Sequence, residues 1–61
     1  MASNLYSRLQ RFRDEIGVPV LKIAEFTGIE EHKLYRFTSG TGDLRNDDAV
    51  SLHKYLEKQG F

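Results

Sequence analysis

An all-α fold is predicted for this 61-residue chain by three observations. Apolar residues recur three and four apart in every substantial segment, the period of a helix with one buried face. Glycine falls where each such pattern stops. The one run with strand character, Val18 to Val20, is broken by Pro19, which cannot donate to a ladder. At this length the chain makes one domain, residues 1–61, with one core, near the lower limit for folding without a disulfide or a metal.

Ser3 or Asn4 can cap a first helix, about 4–16, on which Leu5, Leu9, Phe12 and Ile16 share a stripe before Gly17 takes the left-handed position. Pro19 has no N–H to lose and suits the first turn of a second helix, roughly 19–26. Its inward residues are Val20, Ile23 and Ala24, with Leu21 or Phe26 partly so. Glu30 and Glu31 open a third helix, favourable to its dipole, which runs to about Thr38 with Gly40 as its stop. In the following loop, Thr41 to Asn46, Leu44 is the one apolar anchor. Asn46 or Asp47 caps a last helix, about 47–58, with Ala49, Leu52 and Leu56 on one stripe, Val50 and Tyr55 beside it, and Gly60 closing it.

The segment VLKIAEFTGIEEHKLYRFTS, 20–39, has the spacing of a helix-turn-helix. Ala24 keeps the crossing point slim, and Gly28, four residues on, tolerates the positive φ of the turn. Ile29 plugs the angle, while Leu34 and Phe37 form the buried stripe of the second of the two helices. Its other face is left for a partner. In this arrangement that helix enters the DNA major groove, so sequence-specific DNA binding is the leading functional expectation.

Composition narrows the choice. Nine Lys and Arg balance nine Asp and Glu, for a formal net charge of zero. A nonspecific nucleic-acid coat protein would draw on phosphate attraction that this chain lacks. A DNA binder of this composition must gather its basic groups on one face. With no cysteine, disulfides, thiolate zinc sites and cysteine nucleophiles are excluded. His32 and His53 are the only histidines, and no acidic residue is spaced to complete a metal site with either. No Ser-His-Asp order, phosphate-cradling glycine loop or paired-carboxylate cleft is present, so no enzyme, cofactor or small-molecule substrate is expected. No apolar run reaches signal-peptide or transmembrane length, which makes the cytoplasm the default location without membrane contact. Met1 to Asn4 reads as an unprocessed start, and Gly60-Phe61 as a natural end rather than the edge of an excised domain.

The stretch PVLKIAEFTGIEEHKLYRFTSGTGDLRNDDAVSLHKYL, Pro19 to Leu56, resembles the lambda-repressor and Cro family of phage and bacterial regulators, also called Xre-type. The shared pattern is an Ile-Ala pair, Thr-Gly-Ile at the turn, a helix ending Arg-Phe-Thr-Ser-Gly, a loop with one apolar residue, and a capped helix containing Ala-Val and Leu. The resemblance implies a bundle of four or five helices, repression of transcription and binding to operator DNA, often as a dimer. The family commonly carries Ser, Thr, Gln or Asn where this chain has Glu30 and Glu31, and many members are more basic.

Candidate base contacts are Glu31, His32, Tyr35 and Arg36. The last three share one helical face with Glu31 at its leading edge. A glutamate can accept from cytosine N4, although Glu30 and Glu31 equally suit a helix N-terminus with no DNA role. Arg36 offers a planar fork for guanine or phosphate. Candidate backbone contacts are Lys22, Lys33, Thr38, Ser39, Thr41 and Arg45, which orient without reading sequence. Arg8, Arg11 and Arg13 do not share a face, and a solvated helix surface accounts for at least one of them. A homodimer through helix four and the C-terminus would use Val50, Tyr55, Leu56 and Phe61. The same residues can instead cover the core of a small monomer, with His53 partly buried among them or in a subunit contact. The competing function is a protein-binding module on the same fold, with Glu30, Glu31 and Tyr35 engaging a polymerase subunit or another regulator.

Overall fold

The computed structural model describes residues 2–61, with side chains from Leu5 onward. Four helices follow in order, α1 (Ala2–Ile16), α2 (Val20–Thr27), α3 (Glu31–Thr38) and α4 (Asn46–Lys58), with no strand among the described residues. They pack as a ring in which α1 lies on α4, α4 on α2, α2 on α3 and α3 on α1. Every helix therefore turns one face to a common interior.

That interior holds Leu5, Leu9 and Phe12 of α1, Val20, Ile23 and Ala24 of α2, Ile29 of the turn, Leu34 and Phe37 of α3, and Leu52 and Leu56 of α4. Leu44 folds back onto it from the loop, half-buried, as its lone apolar character predicts. Aromatic rings pack edge to face around it. Tyr6 meets Phe37 with ring centroids 5.8 Å apart, and the Phe12 ring meets both Tyr55 and Phe61 edge to face. Burial raises the Tyr55 phenol above its ordinary value.

Boundaries and exposures differ from the expectations in several places. Ser3 and Asn4 lie inside α1, and their capping side chains fall outside the described residues. Pro19 is the N-cap of α2 rather than its first residue, and its carbonyl accepts the Lys22 and Ile23 N–H groups at 3.1 and 3.2 Å. Glu30 and Arg45 hold the same position for α3 and α4, so neither Asn46 nor Asp47 is the cap. Ile16 is exposed, since it is the last residue of α1 and the chain turns away at Gly17. The half-buried Val18 covers the core at that end instead. Leu21 and Phe26 are also exposed rather than partly inward, because three inward residues suffice for a helix of eight.

The link from α2 to α3 is built by short-range bonds. Gly28 adopts φ 77°, and its N–H donates to the Ala24 carbonyl at 2.9 Å. Thr27 adds a device the sequence pattern did not reveal. Its hydroxyl donates to the Ile23 carbonyl at 2.8 Å and lies 3.4 Å from the Ile29 N–H, which it accepts. Ile29 is thereby tied down where it plugs the interior. Replacement of Gly28 by alanine is expected to cost about 1–2 kcal/mol, the usual penalty of a left-handed L-residue. Nothing lies within 4 Å of the added methyl, so backbone conformation is the whole penalty. Urea denaturation reads it directly, and a variant as stable as its parent would contradict this account of the turn.

Candidate nucleic-acid interface

The sequence of α3, EHKLYRFT, sorts itself around the helix. Leu34 and Phe37 go inward, and Glu31, His32, Lys33, Tyr35 and Arg36 are all exposed. Tyr35 is 60% exposed, so this aromatic ring contributes little to the core. His32, Tyr35 and Arg36 occupy positions i, i+3 and i+4, and therefore one outward face. The face is convex. A groove of about 980 Å3 lies elsewhere, between α1, the α3–α4 loop and α4, with Leu5, Arg8, Leu44 and His53 in its lining and none of these three residues.

Charge is graded along the face. At its leading end Glu25, Glu30 and Glu31 border one shallow hollow with Leu21 and Gly28, and Lys22 pairs with Glu25 at 3.6 Å. At its trailing end stands Arg36, folded toward the loop with its Nη2 donating to the Thr41 carbonyl at 3.4 Å. The carboxylates complement the helix N-terminus. Near a phosphate they would be repulsive, so at this end Lys22 is the group suited to the DNA backbone, and at the other end Arg36.

The far end of α3 is clamped to α1. Gln10 Nε2 donates to the Thr38 carbonyl at 2.9 Å, which satisfies one of the orphan acceptors of a helix C-terminus. Together with the Tyr6–Phe37 contact this sets how α3 sits on the molecule. No local pattern identified Gln10, because its partner lies 28 residues away.

Thr38 is not available for the backbone-contacting role expected of it. It is buried under α1, and its hydroxyl donates to the Tyr35 carbonyl at 2.8 Å. Ser39 and Thr41 are exposed, but their hydroxyls donate to the Tyr35 and Arg36 carbonyls at 3.0 and 3.3 Å. Either would have to release that bond to donate to a phosphate. Lys22, Lys33 and Arg45 are exposed.

The remaining arginines serve the fold. Arg8 Nε donates to the Phe61 carbonyl at 2.6 Å, and its Nη1 donates to His53 Nδ1 at 2.8 Å. Arg11 sits over the Phe61 ring at 5.8 Å and approaches Glu15 at 3.7 Å. Arg13 reaches Gln10 Oε1 at 3.5 Å, with its Nε buried and unpartnered. The Arg8 bonds and the Arg11–Phe61 contact join α1 to α4 and the C-terminal residue, while the Glu15 and Gln10 contacts stay within α1. His53 itself is exposed and acts as an acceptor, so of its two expected roles, partly buried or in a subunit contact, the first is not met. Leu56, expected in a dimer patch, is fully buried.

Among the described residues no cluster of three or more His, Cys, Asp or Glu could hold a metal ion. No helix among them is long and apolar enough to cross a membrane. In comparisons with known proteins, no protein-family model, no curated protein and no solved structure matches the chain.

Proposed function

We propose that the chain is a sequence-specific DNA-binding regulator of transcription, of the Cro-like kind. On this reading α2, its turn and α3 act as a helix-turn-helix, and α3 lies in the major groove of operator DNA. One observation carries it. On a short helix whose inner residues are fully used, His32, Tyr35 and Arg36 stand outward together, an imidazole, a phenol and a planar cation with little work in the core. Those side-chain types suit base edges, thymine methyls and phosphates at once. Lys22, Lys33 and Arg45 would then orient the protein on the backbone. The chain supplies no catalytic group on this reading and works in the cytoplasm with the DNA.

A homodimer through α4 would use Val50 with the accessible parts of Tyr55 and Phe61, placing two copies of α3 about one DNA turn, ~34 Å, apart on a palindrome.

Selection from random duplexes, followed by gel shift at low and high salt, tests the proposal. With roughly four phosphates neutralised, affinity should fall about 100-fold between 50 and 200 mM salt, around an enriched motif. Negligible, salt-independent binding would instead favour a protein partner engaged through Glu30, Glu31 and Tyr35, the reading that the zero net charge supports.

A further inference from the structure

Four of the five glycines, Gly17, Gly28, Gly40 and Gly60, have positive φ and open space where a side chain would begin. Gly42 has neither. A Cβ placed on it would lie 3.2 Å from Arg36 Cβ, 3.6 Å from Nε and 3.9 Å from Cζ. Its missing side chain therefore serves close approach rather than conformation. The stem and the start of the guanidinium of Arg36 rest along the bare backbone at this point of the loop.

Thr41, next to it, is joined to the same residue three times. Its N–H and its hydroxyl donate to the Arg36 carbonyl at 3.0 and 3.3 Å, and its own carbonyl accepts from Arg36 Nη2 at 3.4 Å. Neighbouring Ser39 and Thr38 donate to Tyr35, not to Arg36. Two of these bonds close the C-terminal turn of α3 through its main chain, and the Nη2 bond alone holds the Arg36 side chain.

We infer that Thr41 and Gly42 form a positioning platform for Arg36, so that the loop after α3, and not α3 alone, aims the guanidinium. The inference rests on the reading above only in taking DNA as the target of Arg36. The platform belongs to the free protein. A long side chain on a bare helix samples many rotamers and loses that freedom when it docks. A guanidinium already laid against backbone presents its fork in one plane, which bidentate pairing with guanine or phosphate needs. Discrimination at the base pair beneath Arg36 then depends on a glycine that touches no DNA.

Gly42→Val and the milder Gly42→Ala, made in the full chain, test this. The backbone of Gly42 lies outside the left-handed region, so both side chains suit its conformation. The new Cβ meets Arg36 Cβ at 3.2 Å and the loop must give slightly, so the thermal midpoint should hold for alanine and fall modestly for valine. In the free protein, Gly42→Val should shift the Arg36 Nε–H resonance and erase its cross-peaks to the loop, while the α3 amides stay in place. On duplexes selected by the parent chain, it should lose about 5- to 30-fold discrimination at the base pair that Arg36→Ala no longer reads. In an Arg36→Ala background it should add no further loss, as coupling between contacting residues requires. An unmoved Arg36 resonance in both variants, or equal losses with and without Arg36, overturns the platform. If the parent selects no duplex, the DNA reading fails by itself, and the resonance alone decides whether the loop holds Arg36.

Discussion

Phe12→Ala is expected to remove half or more of the folding stability of the chain. Phe12 is 1% exposed, and its ring meets Tyr55 of α4 at 5.6 Å and the C-terminal Phe61 at 5.3 Å, both edge to face. Truncating a buried Phe costs about 3–5 kcal/mol, from lost transfer energy and from the cavity left behind. A domain of this size has only about 3–9 kcal/mol to lose, at roughly 0.05–0.15 kcal/mol per residue. The loss should fall on the whole molecule, since one ring joins α1, α4 and the C-terminal residue. Helical circular dichroism with a urea titration measures it. Phe26→Ala is the control. That ring is 69% exposed and only stacks on Tyr55 at 5.8 Å, so its loss should stay near the value of one aromatic pair, about 0.5–1.5 kcal/mol. Equal costs at the two positions would show that Phe12 does not hold the core together.

Arg36→Ala is expected to abolish reading of one base pair while the fold survives. Arg36 is exposed and contacts only the adjoining loop, so stability should change by no more than about 0.5 kcal/mol. A good bidentate base contact is worth about 1–3 kcal/mol, or roughly 5- to 150-fold in affinity for the selected duplex. Affinity for unrelated duplexes should change far less. Fluorescence anisotropy on both duplexes, with thermal melting alongside, makes the comparison. Unchanged affinity for the selected duplex would remove Arg36 from the interface and leave His32 and Tyr35 to carry specificity.

The helices were legible from the residues because each is defined by bonds and contacts within about four positions. The stripes Leu5-Leu9-Phe12 and Leu34-Phe37 and the left-handed Gly28 are local facts, and they appear where expected. Ile16 and Phe26 continued the same periodicity yet stand in solvent. Periodicity names a face; it does not say where the neighbouring helix ends.

The candidate site divides in the same way. Exposure of His32, Tyr35 and Arg36 follows from the inward pull of Leu34 and Phe37 on the same short helix. Thr38 was misjudged because its burial depends on α1 crossing above it, with Gln10 bonded to its carbonyl. A solvated surface was expected for at least one of Arg8, Arg11 and Arg13, and nothing local showed that Arg8 bonds the Phe61 carbonyl and Arg11 lies over its ring, some fifty residues on. The bare backbone at Gly42 gained its meaning only once the loop had folded against Arg36.

Local chemistry thus sufficed for four rods, their breaks and the inward stripe of each, since a helix and its cap answer to residues within a turn or so. Which polar groups stay outward, which are consumed in holding the rods together, and how Arg36 is aimed were settled by long-range packing. Those outcomes depend on which side chains the ring of helices brings face to face, and that pairing is written in no single segment.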